Sequence, residues 1–367
     1  DGIRNVIDVS SVLCAERTGM EQSEPTLHQL IDRWRPGEVV ERIETITPDA
    51  SLRRFYRLYL PDRTVVAMMF DSTASAEVGG QGPQQTADAA YIELTTYFRA
   101  LGWPVPELLL DARDVAALLL EDVGQTLLIH TIAGSRSRTF DRDAVSGFYR
   151  EALDRIRDLQ RFPHDPAVCA FQRRFTDELY RREMSEFWDF VFLPRRPTAA
   201  QQELMAGLFE QLVERLTQMP VVLSHRDFHS WNLLLDGEQR VRIVDFQDAL
   251  LAPRTYDAAS LLNDRDTDSA LGAELYRELE EYFLCGASSA RIPREEYLLV
   301  LLQRDLKVAG RFVKLVQNRG LVAYEEWIPG TVRRIVRGLK ELGRQGLGRE
   351  YAEAAELIES MLAVHDG

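Results

Sequence analysis

The chain has 367 residues, which is enough for two domains of ordinary size or for one large bilobed unit. Hydrophobic residues make up 45% and charged residues 28% of the sequence, a composition typical of folded globular proteins that excludes disorder as the main state. Acidic residues outnumber basic ones by 58 to 44, and the resulting formal net charge of −14 argues against a surface built to neutralise nucleic acid.

Cysteine usage and the apolar pattern indicate the cellular setting. The three cysteines, Cys14, Cys169 and Cys285, are too few and too widely spaced for a disulfide framework or a metal site. No apolar run approaches the roughly 20 residues that span a bilayer, and no signal peptide is recognisable. We therefore expect a protein of the reducing cytoplasm, with neither nucleic acid nor a membrane among its partners. The sequence does not predict an oligomeric state.

The first third of the chain is predicted to form a small β-sheet with one helix. Strands are predicted over residues 40–47, 55–60, 64–70, 107–110 and 115–120, between turn-forming segments. Apolar residues at helical spacing predict a helix over residues 87–101, which Gly102 ends. The stretch 72–85, rich in Gly, Gln and Pro, predicts a mobile loop.

The rest of the chain is predicted to be mainly helical around one β-like island. Amphipathic periodicity predicts helices over residues 143–162, 171–192 and 199–219, and again from residue 256 to a closing helix over 349–364. Residues 221–246 contain three short apolar runs separated by polar turns, which is typical of short strands. This island carries the residues with recognisable chemistry.

The island contains the spacing of a kinase catalytic loop. His225, Arg226 and Asp227 are followed by Asn232, which matches the pattern H-R-D-x-x-x-x-N, and Asp245 follows after a hairpin-sized gap. Phosphoryl transfer needs a carboxylate beside the attacking hydroxyl and oxygen ligands that hold Mg²⁺ against the phosphates. We therefore expect Asp227 to be the catalytic base, and Asn232 and Asp245 to be Mg²⁺ ligands.

These motifs resemble those of a known superfamily. Segments 49–57, 224–233 and 245–250 are similar to those of the aminoglycoside phosphotransferase and choline kinase superfamily. With segments 182–184 and 303–308, they resemble more specifically the bacterial anomeric kinases of N-acetylmuramate and N-acetylglucosamine.

The resemblance implies an α+β, bilobed, protein-kinase-like fold. The expected parts are an N-terminal extension over residues 1–25, a β-rich N-lobe with one helix over 26–123, and a larger, mainly helical C-lobe over 124–367. The resemblance also implies ATP and Mg²⁺ as cofactors and a small-molecule hydroxyl as the acceptor.

The nucleotide side departs from the general kinase pattern, because the first 306 residues contain no lysine. The resemblance places a phosphate-binding lysine on the strand predicted over residues 64–70, which carries Met68 and Met69 instead. An arginine can grip phosphate oxygens bidentately, so we expect Arg54 or Arg57 on the preceding strand to replace the lysine. A solvated strand face is the alternative for these arginines.

Four further residues complete the expected nucleotide site. Ser51 and neighbouring backbone N–H groups, in the predicted hairpin turn, could donate to phosphate. Glu93 stands on the predicted helix where the superfamily places the glutamate that steadies the phosphate-binding cation; a solvated charge is the alternative. The backbone around Glu121 and Val123 resembles the connector that hydrogen-bonds adenine, although a core strand ending in a turn accounts for the same pattern.

Four residues are candidates on the acceptor side, namely His229, Asp248, Arg304 and Lys307. His229 lies beside the expected base and either positions substrate or hydrogen-bonds the loop, and Asp248 is expected to point toward the acceptor. Arg304 and Lys307 are three residues apart and share one helix face, which is either a substrate-binding face or a solvated one. Asp257 resembles the acid that braces the catalytic loop from the following helix.

The leading hypothesis for function is an ATP-dependent kinase that phosphorylates the anomeric hydroxyl of N-acetylmuramate and N-acetylglucosamine in cell-wall recycling. The nearest alternative is an aminoglycoside- or choline-type phosphotransferase. A non-catalytic, nucleotide-binding pseudokinase is the alternative from another class, motivated by the missing N-lobe lysine and by Gln247 in the place of a glycine. The joint presence of Asp227, Asn232 and Asp245 favours a working enzyme.

Overall fold

The structure is a computed structural model that describes residues 23–46, 53–70, 86–133, 141–265, 267–286 and 291–362. The turn predicted at 48–51, which includes Ser51, lies outside the described residues, as do the predicted loop 72–85 and most of the predicted extension 1–25. Contacts divide the chain into two units, one of residues 1–76 and 105–123 and the other of residues 77–104 and 124–367.

The first unit is built on a five-stranded antiparallel sheet. Its strands are Arg42–Ile46 (β1), Arg54–Tyr59 (β2), Thr64–Met69 (β3), Leu108–Ala112 (β4) and Ala117–Glu121 (β5). They lie in the order β1-β2-β3-β5-β4. All five predicted strands are confirmed, with ends that differ by at most two residues.

The two faces of this sheet have different environments. Residues 23–34 form helix α1, which was not predicted from the sequence, and its Leu30 joins Tyr56 and Leu58 of β2 in one buried core. Successive residues of a strand point to opposite faces of a sheet. Arg57, between Tyr56 and Leu58, therefore lies on the face away from α1.

The second unit is mainly helical. Its helices are Ala87–Ala100 (α2), Leu128–Ala133 (α3), Arg142–Gln160 (α4), Cys169–Gln172 (α5), Asp177–Phe187 (α6), Ala199–Thr217 (α7), Tyr256–Asn263 (α8), Thr267–Leu271 (α9), Ala273–Cys285 (α10), Arg294–Arg319 (α11), Ile328–Arg344 (α12) and Arg349–Leu362 (α13). By its contacts α2 groups with this unit, whereas the division expected from the sequence put it with the sheet. Each helix in the described ranges is either too short or too polar to span a bilayer.

The single helix predicted over residues 171–192 is wrong, because the chain leaves helical geometry before α6. Leu251 N donates to the Arg173 carbonyl oxygen at 2.9 Å, and Phe175 N donates to the Leu251 carbonyl oxygen at 3.0 Å. These backbone bonds hold the segment extended. The Thr176 hydroxyl then accepts a backbone hydrogen bond and caps the N-terminus of α6.

Two small antiparallel sheets form the β-like island of the second unit. The strands are Thr126–Leu127 (β6), Val221–Ser224 (β7), Leu233–Leu235 (β8), Val241–Ile243 (β9) and Leu250–Pro253 (β10). β8 lies between β6 and β9, and β7 pairs with β10. The three runs predicted within residues 221–246 are confirmed, whereas β10 was not predicted. Gly124 precedes β6 with a φ of 112°, and a Cβ there would lie 2.7 Å from the Leu235 carbonyl oxygen, so only glycine fits.

Candidate active site

The catalytic-loop motif follows β7 and is held by a buried carboxylate. Asp257, on α8, is 1% exposed. Its carboxylate accepts hydrogen bonds from the Ser224 hydroxyl at 2.7 Å and from the backbone N–H groups of His225 and Arg226 at 2.8 and 3.0 Å. These bonds hold Arg226 in a left-handed backbone conformation, with a φ of 77°, immediately before Asp227. The expected brace is therefore present.

Asp227, Asn232 and Asp245 come together in space. The side-chain amide of Asn232 donates to the backbone carbonyl oxygen of Asp227 at 3.0 Å and to a carboxylate oxygen of Asp245 at 3.5 Å. The other carboxylate oxygen of Asp245 accepts a hydrogen bond from Gln247 Nε2 at 2.9 Å. The two residues predicted to bind the metal thus lie side by side, next to the residue predicted to be the base.

The pair Asn232 and Asp245 suits a hard cation. A carboxylate and an amide offer oxygen ligands, and Mg²⁺ commonly takes one or two protein ligands while water and phosphate oxygens complete its octahedron. Within the described residues, no group of three or more His, Cys, Asp or Glu side chains could hold a metal ion by itself. The pair therefore fits an ion that arrives with a nucleotide rather than a closed protein metal site.

The charges around Asp227 keep its carboxylate ionised. Burial acts to raise the pKa of Asp227, but the charges of Lys307, Arg226 and His229 oppose it, and the pKa falls to about 2. At neutral pH this carboxylate is charged. It is therefore in the form that accepts a proton.

Glu183 is a member of this charge cluster that was not assigned a role from the sequence. It lies on α6, is 5% exposed, and its Oε1 lies 3.2 Å from both Arg226 Nη2 and Lys307 Nζ. Gln303 Nε2 donates to its Oε2 at 3.0 Å. Burial acts to raise the pKa of Glu183, but Lys307 and Arg226 lower it. The sequence signal for Glu183 is the resemblance of segment 182–184 to the anomeric kinases, which assigns no role to this residue.

Of the four residues predicted on the acceptor side, Arg304 is buried and the other three are partly buried. Arg304 is 5% exposed and donates through Nη2 to Asp264 at 3.0 Å, so the alternative of a solvated helix face is wrong for it. His229 Nε2 lies 3.5 Å from the Asn232 amide nitrogen. Asp248 accepts a hydrogen bond of 3.5 Å from Gln247. A substrate role for each of these residues stays a prediction.

Several buried polar atoms beside the catalytic loop have no hydrogen-bond partner within the described ranges. They are His229 Nδ1, Trp231 Nε1, Arg304 Nη1 and Asp264 Oδ2. Buried polar groups are nearly always satisfied, so a cluster of this kind indicates a place for a polar ligand. Asp264 was missed in the sequence, although it follows α8, all of whose residues are buried.

The two arginines predicted to bind phosphate lie in the first unit and differ in their exposure and their hydrogen-bond partners. Arg57 is 6% exposed and donates through Nε and Nη2 to Asp122 at 2.6 and 3.1 Å. Arg54 is exposed, and its Nη1 donates to the Ser23 hydroxyl at 3.2 Å. Arg57 is thus held by a carboxylate, whereas the guanidinium of Arg54 lies at the surface. Which of them binds phosphate stays a prediction.

The other described residues predicted to bind the nucleotide, Glu121, Val123 and Glu93, differ in their hydrogen bonds. The Glu121 side chain accepts a hydrogen bond from Glu107 N at 3.0 Å. Within the part of the chain that the structure describes, the Val123 backbone makes no hydrogen bond. Glu93, on α2 in the second unit, accepts a hydrogen bond from Cys169 N at 2.5 Å. Their predicted roles remain predictions.

Known proteins share this sequence pattern and this fold. The N-acetylmuramate/N-acetylglucosamine kinase of Neisseria meningitidis is 28% identical over 320 residues, which covers 84% of this chain and 86% of the relative. Choline kinase LicA from Streptococcus pneumoniae is 12% identical, with a TM-score of 0.58 over 88% of this chain and 99% of its own. An ADP-bound aminoglycoside phosphotransferase is 11% identical, with a TM-score of 0.56 over 84% of this chain and 97% of its own.

These likenesses confirm the bilobed, kinase-like fold, with its small β-sheet lobe and its larger helical lobe. The profile of APH, the phosphotransferase enzyme family, matches residues 42–296, which is more than half of the chain. The matched segment includes the catalytic loop and both residues predicted to bind the metal. The chain therefore belongs to the phosphotransferase enzyme family.

Proposed function

We propose that the protein is an ATP- and Mg²⁺-dependent kinase that phosphorylates the anomeric hydroxyl of N-acetylmuramate and N-acetylglucosamine. The observation that carries the proposal is the grouping of Asp227, Asn232 and Asp245 beside one braced loop. The name of the relative from Neisseria meningitidis supports an amino-sugar acceptor, and the ADP-bound structure supports a nucleotide donor. The products, sugar 1-phosphates, would serve cell-wall recycling in the cytoplasm.

Asp227 takes the proton of the attacking hydroxyl in this reaction. The hydroxyl oxygen forms a bond to the γ-phosphorus of ATP, the bond from that phosphorus to the bridging oxygen breaks, and ADP leaves. An anomeric hydroxyl is more acidic than an ordinary alcohol, which suits a carboxylate with a pKa of about 2. Mg²⁺ would neutralise phosphate charge when bound, and Asn232 and Asp245 would hold it.

The nucleotide would be held largely by residues of the first unit. The backbone N–H and C=O of Val123, together with the backbone at Glu121, are suited to hydrogen-bond adenine. Arg54 or Arg57 would contact the phosphates bidentately in place of the missing lysine, with Ser51 as a further donor.

The acceptor would lie against the buried polar atoms that have no partner in the described residues. A sugar with several hydroxyl groups and an amide can satisfy donors such as Trp231 Nε1 and an acceptor such as Asp264 Oδ2. The unsatisfied Nη1 of Arg304 suits the carboxylate that N-acetylmuramate carries and N-acetylglucosamine lacks. Lys307 and Asp248 would complete this side of the site.

The reaction is tested by incubating the full chain with Mg·ATP and each sugar and following the product by phosphorus NMR. Coupling of the phosphorus to the anomeric proton identifies a sugar 1-phosphate. Intact ATP with both sugars, or transfer to kanamycin or choline instead, would overturn the assigned acceptor.

Asp227→Asn supplies the residue-level test of the mechanism. A positioned general base contributes roughly 10²- to 10⁴-fold, so kcat should fall by about that factor while ATP binding persists. Asp189→Asn is the matched control, because Asp189 is an exposed carboxylate that lies outside the site. Equal activity of the Asp227→Asn variant and this control would rule out Asp227 as the base.

A further inference from the structure

Helices α9 to α12 border a cavity that the proposed reaction does not use. Its volume is about 680 Å³, within the range of roughly 300–1,000 Å³ that is typical of small-molecule sites. Among the described residues that line it, none comes from the segment 225–248, and neither Arg304 nor Lys307 is present. The cavity is therefore separate from the candidate active site.

The lining of this cavity is basic, although the chain has a net charge of −14. Six arginines face three carboxylates there. The arginines are Arg277, Arg294, Arg333, Arg334, Arg337 and Arg344. An excess of guanidinium groups around a concave surface favours an anionic ligand.

Some of the arginines that line the cavity are paired with carboxylates, whereas Arg333 is not paired with any described residue. Arg334 is 3% exposed and donates to the buried carboxylate of Asp305. Arg294 and Arg344 each pair with a glutamate, at 2.5 and 2.8 Å. Arg333, by contrast, is exposed and makes neither an ion pair nor a hydrogen bond with any residue in the described ranges.

Arg333 and Arg337 lie one turn apart on α12, at a spacing where like charges destabilise a helix. Arg337 contacts Asp268 at 3.1 Å, but the same carboxylate also contacts Arg334 at 3.1 Å. One carboxylate thus contacts two guanidinium groups, and Arg333 has no carboxylate partner among the described residues. A phosphate group between Arg333 and Arg337 would remove this repulsion, since guanidinium groups bind phosphate oxygens bidentately.

We propose that the cavity binds a small organic phosphate, with its phosphate against Arg333 and Arg337 and its organic part against Leu298 and Leu301 of α11. Gly338 keeps space for this ligand, because it is buried and an added Cβ would meet nothing within 4 Å. Glycine within a helix is less stable than a residue with a side chain. Its presence beside open space is explained if that space is filled by a ligand.

Calorimetric titration with pyrophosphate tests the proposal on the full chain, at physiological ionic strength and with a chelator present to remove divalent metal. Wild type should bind pyrophosphate saturably. Arg333→Gln combined with Arg337→Gln should weaken the affinity by at least about tenfold, as expected for the loss of charge-assisted hydrogen bonds. Gly338→Leu should weaken it similarly by occupying the cavity, and this change favours the helix, so the variant is expected to fold.

The matched control removes the same charge elsewhere by combining Arg319→Gln and Arg349→Gln, at exposed positions on α11 and α13. Its affinity should stay within about twofold of wild type. The proposal is overturned if wild type shows no saturable binding. It is equally overturned if both cavity variants bind as wild type does, because pyrophosphate would then occupy the catalytic site alone.

Discussion

Gly310 marks the place where α11 comes into direct contact with the backbone of α6, and Gly310→Ala tests what that contact does. An added Cβ would overlap the backbone at the junction of Glu186 and Phe187, and it would lie 2.5 Å from the Glu186 carbonyl oxygen. Ordinary contact begins at 3.4 Å, and the other two backbone atoms lie closer still, so the helices would have to separate by at least about 0.9 Å. Backbone atoms cannot rotate away as a side chain can.

The separation of the helices should weaken the ion pair between Lys307 and Glu183, which lies one helical turn away. Lys307 Nζ lies 3.2 Å from Glu183 Oε1, and a shift of at least about 0.9 Å would take this pair beyond ordinary ion-pair distance. Overpacking costs about 1–3 kcal/mol, and the better helix propensity of alanine offsets about 1 kcal/mol. Weakening a buried ion pair adds to the loss. We expect a net decrease of about 2 kcal/mol in the free energy of unfolding, and a decrease in kcat/KM.

Denaturant titration measures the stability change, and steady-state kinetics measures kcat/KM. Gly207→Ala, on α7, is the matched control, because Gly207 is exposed and an added Cβ there would meet nothing within 4 Å. The same substitution should stabilise the protein at that position by up to about 1 kcal/mol. A Gly310→Ala variant that is as stable as wild type would refute the inferred close contact.

Three further predictions concern charge. Lys307→Gln removes the charge that lowers the pKa of Asp227 most, so that pKa rises and the acid-side loss of kcat/KM should begin at a higher pH than in wild type; superimposable profiles between about pH 4 and pH 8 would contradict this. Asp257→Asn should reduce the free energy of unfolding by about 2–4 kcal/mol and lower kcat, since it disrupts three hydrogen bonds to a charged group; unchanged unfolding and kinetics would contradict the brace. Arg57→Ala should lower the free energy of unfolding by about 3–5 kcal/mol, because the buried carboxylate of Asp122 loses its cation. Arg54→Ala, at an exposed position, should leave the free energy of unfolding nearly unchanged. ATP binding assays on the two variants then show which arginine binds the nucleotide.

Features that depend on neighbours in the sequence could be predicted. The catalytic loop folds back on itself, because His229 N donates to the Asp227 carbonyl oxygen at 3.1 Å and Asn232 N donates to the His229 carbonyl oxygen at 2.8 Å. The spacing of the motif in the sequence therefore fixes where its side chains lie relative to one another. β8 and β9, which follow the loop, were predictable for the same reason, since they pair as adjacent runs of one hairpin. β7, before the loop, pairs instead with the distant β10.

Features that depend on distant partners could not be predicted. Glu183 accepts a hydrogen bond from Arg226, 43 residues away in the sequence, and no periodicity in the sequence predicts that contact. The extended segment before α6 depends on Leu251, and its own residues are compatible with a helix. Gly310 reads as an ordinary interruption of a helical pattern until α6 is placed against it.

The charge cluster explains how a partly buried carboxylate can serve as a base at neutral pH. Asp227 and Glu183 carry two negative charges, and Arg226 and Lys307 carry two positive ones, so the charges of these four groups balance. Burial alone would raise the pKa of both acids, and the two cations prevent this. Glu183 contacts both of these cations at 3.2 Å. The pKa of Asp227 thus depends on Lys307 of α11 and Arg226 of the loop, both of which Glu183 of α6 contacts. The contact at Gly310 determines how closely α6 and α11 approach.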